Sequence, residues 1–361
     1  MALPGTGKST LVKFIVAALN LEPHQVAYIS YTGKAAQVLK EKGCPNAMTA
    51  HKLLYRTRRN RDGSFTHIPR TDVGAIYSLI VVDEVSMLPA NMWELLLSHK
   101  VHIIAMGDPG QLPPIGASHD ILDHPHVFLD EIMRQAAESE IIQLSADIRA
   151  GKNIKPYKGT EINVIKPRDM IDGMYEWADQ IICGKNDTRR AINDYYRQMK
   201  WEEDESGLLL PRDGDKLICL HNDWDMITEN GTVLVNGLIG ECSNVKFDEG
   251  FYGKTCNIDF TPDGYIPDSL EDTGFSSLEI DYKLITEGEP TITKENFRKF
   301  PRYFKLQAFD YGYAITCHKS QGSEYKKVLV IEEMLKSTDH KRWLYTAVTR
   351  ASEKLTLVLK D

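Results

Sequence analysis

Residues 1–10 read MALPGTGKST, and the way this stretch continues decides the fold. Two glycines, a lysine and a serine run straight into Leu11, Phe14, Ile15, Ala18 and Leu19, apolar residues at helical spacing. A glycine-rich turn opening into a helix gathers backbone N–H groups at the positive end of the helix dipole, which suits a phosphate. Residues 2–9 fit the phosphate-loop pattern except that Ala2 stands at its first glycine. Pro4, Gly5, Thr6, Gly7, Lys8, Ser9 and Thr10 are therefore expected to bind nucleotide. Lys8 is expected to reach the β- and γ-phosphates of ATP, and the Ser9 hydroxyl to ligate Mg2+.

Outward from the loop, QVAYIS reads as a strand and GKAAQVLKEKG as a short helix ending at Gly43. YSLIVVDE and VHIIAMGD are apolar runs closed by acids, the pattern of parallel strands buried on both faces. Strands alternating with helices predict a doubly wound α/β domain with ligands at the carboxyl ends of its strands. Within it, RTRRNRDGSFTHI carries Asp62-Gly63 between alternating runs and predicts a hairpin insert over about 52–76. A second α/β unit begins near 151, where DQIICGKNDTRRAINDYYRQM reads as a strand followed by a helix, and KKVLVIE and KLTLVLK add strands at the end. The expected division is 1–150 and 151–361, with a β-barrel insert over about 211–305, rich in short alternating runs. Acids outnumber bases between Asn236 and Lys305, so that insert is not the expected seat of phosphate contacts.

Composition narrows the class. The chain has 361 residues, 42% hydrophobic and 26% charged, the balance of a globular protein. Its apolar runs are too short to cross a membrane, and no basic-then-apolar leader opens it. Six scattered cysteines with no CxxC pair read as reduced thiols, so a cytoplasmic location is expected. A net charge of −8 leaves room for nucleic acid only through a local basic stripe.

Further candidates complete the nucleotide site. Asp83, at the end of a buried strand, is placed to hold the magnesium ion through its water shell, and Glu84 to orient or deprotonate a water. Two acids at a strand end can also cap a helix. Gln111, just past the next strand, can sense the γ-phosphate. Arg134 and Arg350 fit the role of arginine fingers, although each taken alone reads more often as a surface ion-pair residue.

In order along the chain, ALPGTGKST, SYTGKAA, TAHKLL, VVDEVSM, GDPGQLPP, IMRQ, AITCHKSQGSEY and LYTAVTRA resemble motifs I, Ia, Ib, II, III, IV, V and VI of superfamily 1 helicases. Within that superfamily the likeness is to RecD-like and Dda-type phage helicases, a group moving 5′ to 3′ on DNA. The resemblance implies two RecA-like P-loop motor domains with ATP between them, a strand-separating pin in the hairpin and an SH3-like second insert. It implies that Thr32, Gly33, Lys34, Thr49 and His51 face single-stranded DNA from the first motor. Thr316, His318, Lys319, Ser320 and Gln321 do so from the second, with Gly322 and Glu324 linking back to the nucleotide. Such backbone contacts position a strand without reading it. Phe65, beside four arginines of the hairpin, suits base stacking at an ss/ds junction, or packing against the motor.

Three departures shape the expectations. The family's segment before motif I, with its first strand and adenine contact, has no counterpart here. Tyr31 replaces a usual proline, and Ala2 the first loop glycine. A missing central strand is expected to leave two neighbours with unpaired backbone, and the chain to be a shortened form with weak nucleotide binding. Three functions remain open: a DNA helicase, a nucleic-acid-binding protein that has lost ATP hydrolysis, and an RNA helicase. Nuclease, replication or recombination proteins are the expected protein partners, and no membrane.

Overall fold

The computed structural model describes residues 8–59, 65–113, 121–122, 124–129, 138–201, 210–228, 232–250, 253–265, 274–293, 296, 299, 306–335 and 339–360. The chain divides into two compact units, one of Met1–Tyr55, Pro69–Arg189 and Ile315–Asp361, the other of Arg56–Ile68 and Arg190–Ala314.

The first unit contains two mostly parallel sheets. In chain order its first part runs through α1 (Lys8–Ala18), β1 (Val26–Ser30), α2 (Gly33–Glu41), β2 (Ala47–Thr49) and α3 (Ala50–Leu54). After the hairpin β3 (Tyr55–Arg59) and β4 (Phe65–Pro69) come α4 (Val73–Ile76), β5 (Leu79–Val82), α5 (Ala90–Ser98) and β6 (His102–Ala105). The strands are parallel in the order β2-β1-β5-β6. Along β1 and β5 alternate residues enter opposite cores: Ala27, Ile29, Ile80 and Val82 on one face, Val26, Tyr28, Leu79 and Val81 on the other. Burial on both faces explains why these segments are continuous apolar runs.

These four strands pair without a gap, so β2 and β6 are the edges of the sheet. Among the described residues one side of β6 carries no partner strand. Beside it lies a groove of about 470 Å³ lined by Leu11, Ile15, Trp93, Leu97, Ile103 and Val127, among others. The apolar face predicted for α1 looks into this groove. Val12 is buried, but Leu11, Ile15 and Leu19 are exposed and Phe14 is 69% exposed. The helix is present where its periodicity predicts it; the core expected to cover its apolar face is not among the described residues.

The second sheet has the order β17-β9-β18-β19-β8-β7, from β7 (Tyr157–Lys158), β8 (Ile162–Ile165), β9 (Gln180–Cys183), β17 (Ala314–Thr316), β18 (Tyr325–Ile331) and β19 (Ala351–Val358). Strands β9, β18, β19 and β8 pair in parallel with one another, and β7 pairs antiparallel with β8 at the edge. Among the described residues five helices accompany it: α6 (Glu140–Arg149), α7 (Gly173–Trp177), α8 (Asn186–Trp201) and, later in the chain, the pair Cys317–Ser320 and His340–Val348. Trp343, Tyr345, Val328, Leu329 and Leu357 are among its fully buried side chains.

The second unit holds the β3–β4 hairpin, where Asp62-Gly63 predicts one, and a five-stranded antiparallel sheet ordered β15-β14-β13-β10-β16. Its strands are β10 (Lys216–Cys219), β13 (Ile239–Gly250), β14 (Gly253–Pro262), β15 (Phe275–Ile280) and β16 (Phe309–Tyr311), with a separate pair β11 (Asp223–Ile227) and β12 (Val233–Leu234). The sheet takes its last strand from beyond the expected boundary at 305. Short helix α9 (Tyr282–Glu287) follows β15. Cys242, Cys256, Ile258, Phe260, Phe275 and Phe309 fill its core. Arg197 of α8 lies fully buried against Asp215, at 3.0 Å. The Tyr313 hydroxyl donates to the same carboxyl group at 2.8 Å. This pairing satisfies a charge that burial would otherwise make costly.

Candidate functional site

The site is assembled at strand ends of the first unit. The last two helices are α10 (Cys317–Ser320) and α11 (His340–Val348). Helix α1 begins at Lys8, as the phosphate-loop pattern predicts. Pro4, Gly5, Thr6, Gly7 and Arg134 lie outside the described residues, as do the side chains of Lys8, Ser9, Thr10 and Phe65.

Asp83 follows β5 directly, its N–H bonded to Ile29 O at 2.8 Å and its Oδ1 accepting from the Glu84 N–H at 3.0 Å. Glu84 takes the left-handed conformation, φ 50°, which is uncommon for a residue that carries a Cβ. Its Oε2 is buried and, among the described residues, has no hydrogen-bond partner. The helix-cap alternative fails for Glu84, which precedes the Val85–Met87 turn but makes no capping bond. Ser30 Oγ, Ser86 Oγ and Gln111 Oε1 are likewise buried without a partner. These four orphaned polar atoms, on β1 and on the segments after β5 and β6, mark surfaces suited to a polar ligand. No cluster of three acids, histidines or cysteines able to hold a metal occurs among the described residues. A magnesium ion fits this donor set in the manner usual for nucleotide enzymes, with one carboxylate and the rest of its shell from phosphate and water.

Arg350 ends the α11 segment and is 7% exposed. Its Nε donates to Thr346 O at 3.1 Å, Nη1 to Ser323 O at 3.1 Å and Nη2 to Thr349 Oγ1 at 3.2 Å. All three acceptors are neutral, and no carboxylate pairs with Arg350 among the described residues. A surface ion-pair reading is therefore excluded by its burial; a cation held in place by neutral groups is prepared to meet an anion.

The DNA-facing candidates separate into two groups. Thr32 caps α2 and Thr49 caps α3, each hydroxyl accepting a backbone N–H at 3.2 Å, from Ala35 and Lys52. Gly33 and Lys34 form the first turn of α2. The exposed His51 ring lies 5.9 Å from both Tyr31 and Tyr55. Thr316 opens α10 without a side-chain capping bond. His318 is half-buried, and burial pushes its imidazole pKa below the usual value, so the ring is neutral near pH 7. Lys319 is exposed. Ser320 and Gln321 are buried and face inward: Ser320 Oγ donates to Cys317 O at 2.8 Å, and Gln321 Nε2 to Leu112 O at 3.1 Å. Gly322 has φ 77°, and a Cβ there would meet the Ala35 Cβ at 2.8 Å. The loop after α10 thus closes directly on the start of α2. Glu324 is exposed.

Sequence reasoning gave no role to Asp108 or Tyr345, although both lie in quoted motifs. The Tyr345 hydroxyl donates to Asp108 Oδ2 at 2.6 Å, a pairing across 237 positions that no local spacing reveals.

A family description for an AAA domain matches residues 1–174, and one for a UvrD-like helicase C-terminal domain matches 311–358. The chain is 27% identical over 378 residues to an ATP-dependent RecD2 DNA helicase of Deinococcus radiodurans, covering 97% of this chain and 45% of that protein. It is 23% identical to the RecBCD enzyme subunit RecD of Buchnera aphidicola, over 99% of this chain and 69% of that one. It spans less than half the length of the first two curated relatives it matches, 45% and 36%. Among solved structures, a Pif1 helicase studied at forked double-stranded DNA superposes with a TM-score of 0.57 at 17% identity, over 99% of this chain and 87% of that one. The Pif1 helicase of Candida albicans does so with a TM-score of 0.56 at 17% identity, over 99% and 89%. The motif order and these matches make the chain similar to RecD-type DNA helicases, and its α/β fold is one it shares with Pif1.

Proposed function

We propose that the chain couples ATP hydrolysis to 5′-to-3′ movement on single-stranded DNA and to opening of duplex ahead of it. The observation that carries this reading is the pairing of two unsatisfied groups of opposite kind in one unit. Among the described residues the Glu84 carboxyl has a buried oxygen without a partner, and the Arg350 guanidinium is buried without an acid. An attacking water suits the first, and a transferring phosphoryl group the second.

In this reading Asp83 and Ser9 hold the magnesium ion, which when bound neutralises charge on the phosphates. Lys8 and the backbone of residues 4–10 anchor the phosphates. Glu84 accepts the proton of the attacking water, and Gln111 orients that water through its free carboxamide oxygen. Arg350 and Arg134 stabilise the charge that develops. Thr32, Lys34, Thr49 and His51 on one sheet, and Thr316, His318 and Lys319 on the other, grip the DNA backbone. A change in how the two sheets meet then becomes a step along the strand. Buried Ser320, Gln321 and Gly322 carry that change inward rather than touching DNA.

The finer readings belong to the same proposal. The two sheets are two RecA-like motors, divided near 150. The hairpin with Phe65 separates strands at the junction, the five-stranded sheet is an SH3-like insert, and nuclease, replication or recombination proteins are the partners. No described helix is long and apolar enough to cross a membrane. A cytoplasmic setting is part of the proposal.

The test uses duplexes with a single-stranded tail of DNA or RNA at either end. Unwinding of the 5′-tailed DNA substrate alone is expected. Opening of the 3′-tailed substrate overturns the direction, and preference for RNA tails the substrate class. The open edge of β6 favours the reading in which the chain binds nucleic acid without hydrolysis; binding of tails with no unwinding on any substrate selects it.

A further inference from the structure

The loop from Asp108 to Leu112, which carries Gln111, is tied to α11, which carries Arg350, by an interlocking set of contacts. Asp108 is fully buried. Its Oδ1 accepts the Gly110 N–H at 2.9 Å within the loop, and its Oδ2 accepts the Tyr345 hydroxyl at 2.6 Å across to the helix. The next residue of the helix continues the seam: Thr346 Oγ1 accepts the Leu112 N–H at 2.9 Å and donates to Arg342 O at 2.8 Å. Leu112 O is held by Gln321 Nε2. The Thr346 carbonyl, one turn before Arg350, accepts from that arginine. Gly110 shows how tight the seam is. A Cβ at that position would stand 2.8 Å from the Tyr345 ring, which is itself 2% exposed and has no room to retreat.

We propose that Tyr345 and Asp108 are positioning residues for the hydrolytic reaction: their hydrogen bond locks the Gln111 loop to the arginine helix, so that Gln111 and Arg350 act as one unit. The inference rests on the functional reading above. Neither residue touches phosphate; each fixes a group that does. A seam of this kind joins two sheets through directional bonds rather than through apolar packing, so it holds in one register and is lost in another. It also gives the DNA-facing segment a route to the reaction, because Gln321 follows Lys319 by two residues and is bonded into the same loop.

The experiment compares Tyr345→Phe with the unmodified chain. The substitution removes one hydroxyl and keeps the ring against Gly110. DNA-stimulated kcat for ATP is expected to fall about tenfold, the effect of one buried hydrogen bond acting on the transition state, with KM for ATP and affinity for single-stranded DNA within about twofold. Tyr345→Phe added to Arg350→Ala is expected to cost nothing beyond Arg350→Ala alone, because the lock acts through the arginine. A merely structural role moves stability and leaves kcat in place, or multiplies with the arginine loss; either result overturns the proposal. Gly110→Ala, which forces the ring away while keeping every hydroxyl, is expected to show the same kcat loss and serves if the first variant fails to fold. Absence of ATP hydrolysis in the unmodified chain overturns the functional reading itself, whereas a normal rate in an active Tyr345→Phe chain overturns only the lock.

Discussion

Arg350 shows how burial changes the meaning of a residue. In the sequence it is one of 43 lysines and arginines, and taken alone it reads more often as a surface ion-pair residue. In the structure its planar fork is distributed over three neutral oxygens and its charge is unpaired among the described residues. Arg350→Ala is expected to lower the DNA-stimulated rate on the order of 10³- to 10⁵-fold, the range for arginine fingers in other phosphate-loop enzymes. Arg350→Lys is expected to recover little, because an ammonium cannot reach three acceptors held in a plane. Steady-state phosphate release measures both. Glu84 was legible as an acid at a strand end, but not its left-handed backbone or its unpartnered oxygen, since both depend on what surrounds it.

At the scale of elements, period and punctuation carried far. The apolar runs YSLIVV and VHIIAM are β5 and β6, strands β3 and β4 pair on either side of the Asp-Gly step, which itself lies outside the described residues, and Gly43, at φ 84°, follows the helix it is expected to end. The covering of elements was less legible. Periodicity identifies the apolar face of α1 but not whether something lies on it, and Phe14 on that face is exposed. Boundaries set by pairing were also hidden: β16 joins the antiparallel sheet from beyond residue 305, through partners almost a hundred positions away in β10. Gly322 is the element-scale prediction. Its positive φ and the 2.8 Å approach of Ala35 mean that a single methyl group both strains the backbone and overfills the contact. Gly322→Ala is expected to cost about 2–3 kcal/mol, read as a lowered urea midpoint with unchanged slope. An unchanged midpoint contradicts the close approach of the loop to α2.

At the scale of the whole molecule, long-range order is what the sequence withholds. The motifs were readable one by one, and their resemblance to a helicase series gave their sequence-wide sense. The bonds that join them, Tyr345 to Asp108, Thr346 to Leu112 and Gln321 to Leu112, each span more than two hundred positions. They are the physical link between segments that the motif order only juxtaposes. The account as a whole stands on the chain being a DNA-stimulated ATP hydrolase with Glu84 as its proton acceptor. The most direct measurement is phosphate release from ATP by the 361-residue chain, with and without single-stranded DNA, beside Glu84→Gln. The account predicts a rate raised by DNA, and a loss on the order of 10²- to 10⁴-fold in the variant with nucleotide binding retained. A rate indifferent to DNA, or a Glu84→Gln chain as fast as the original, would contradict it.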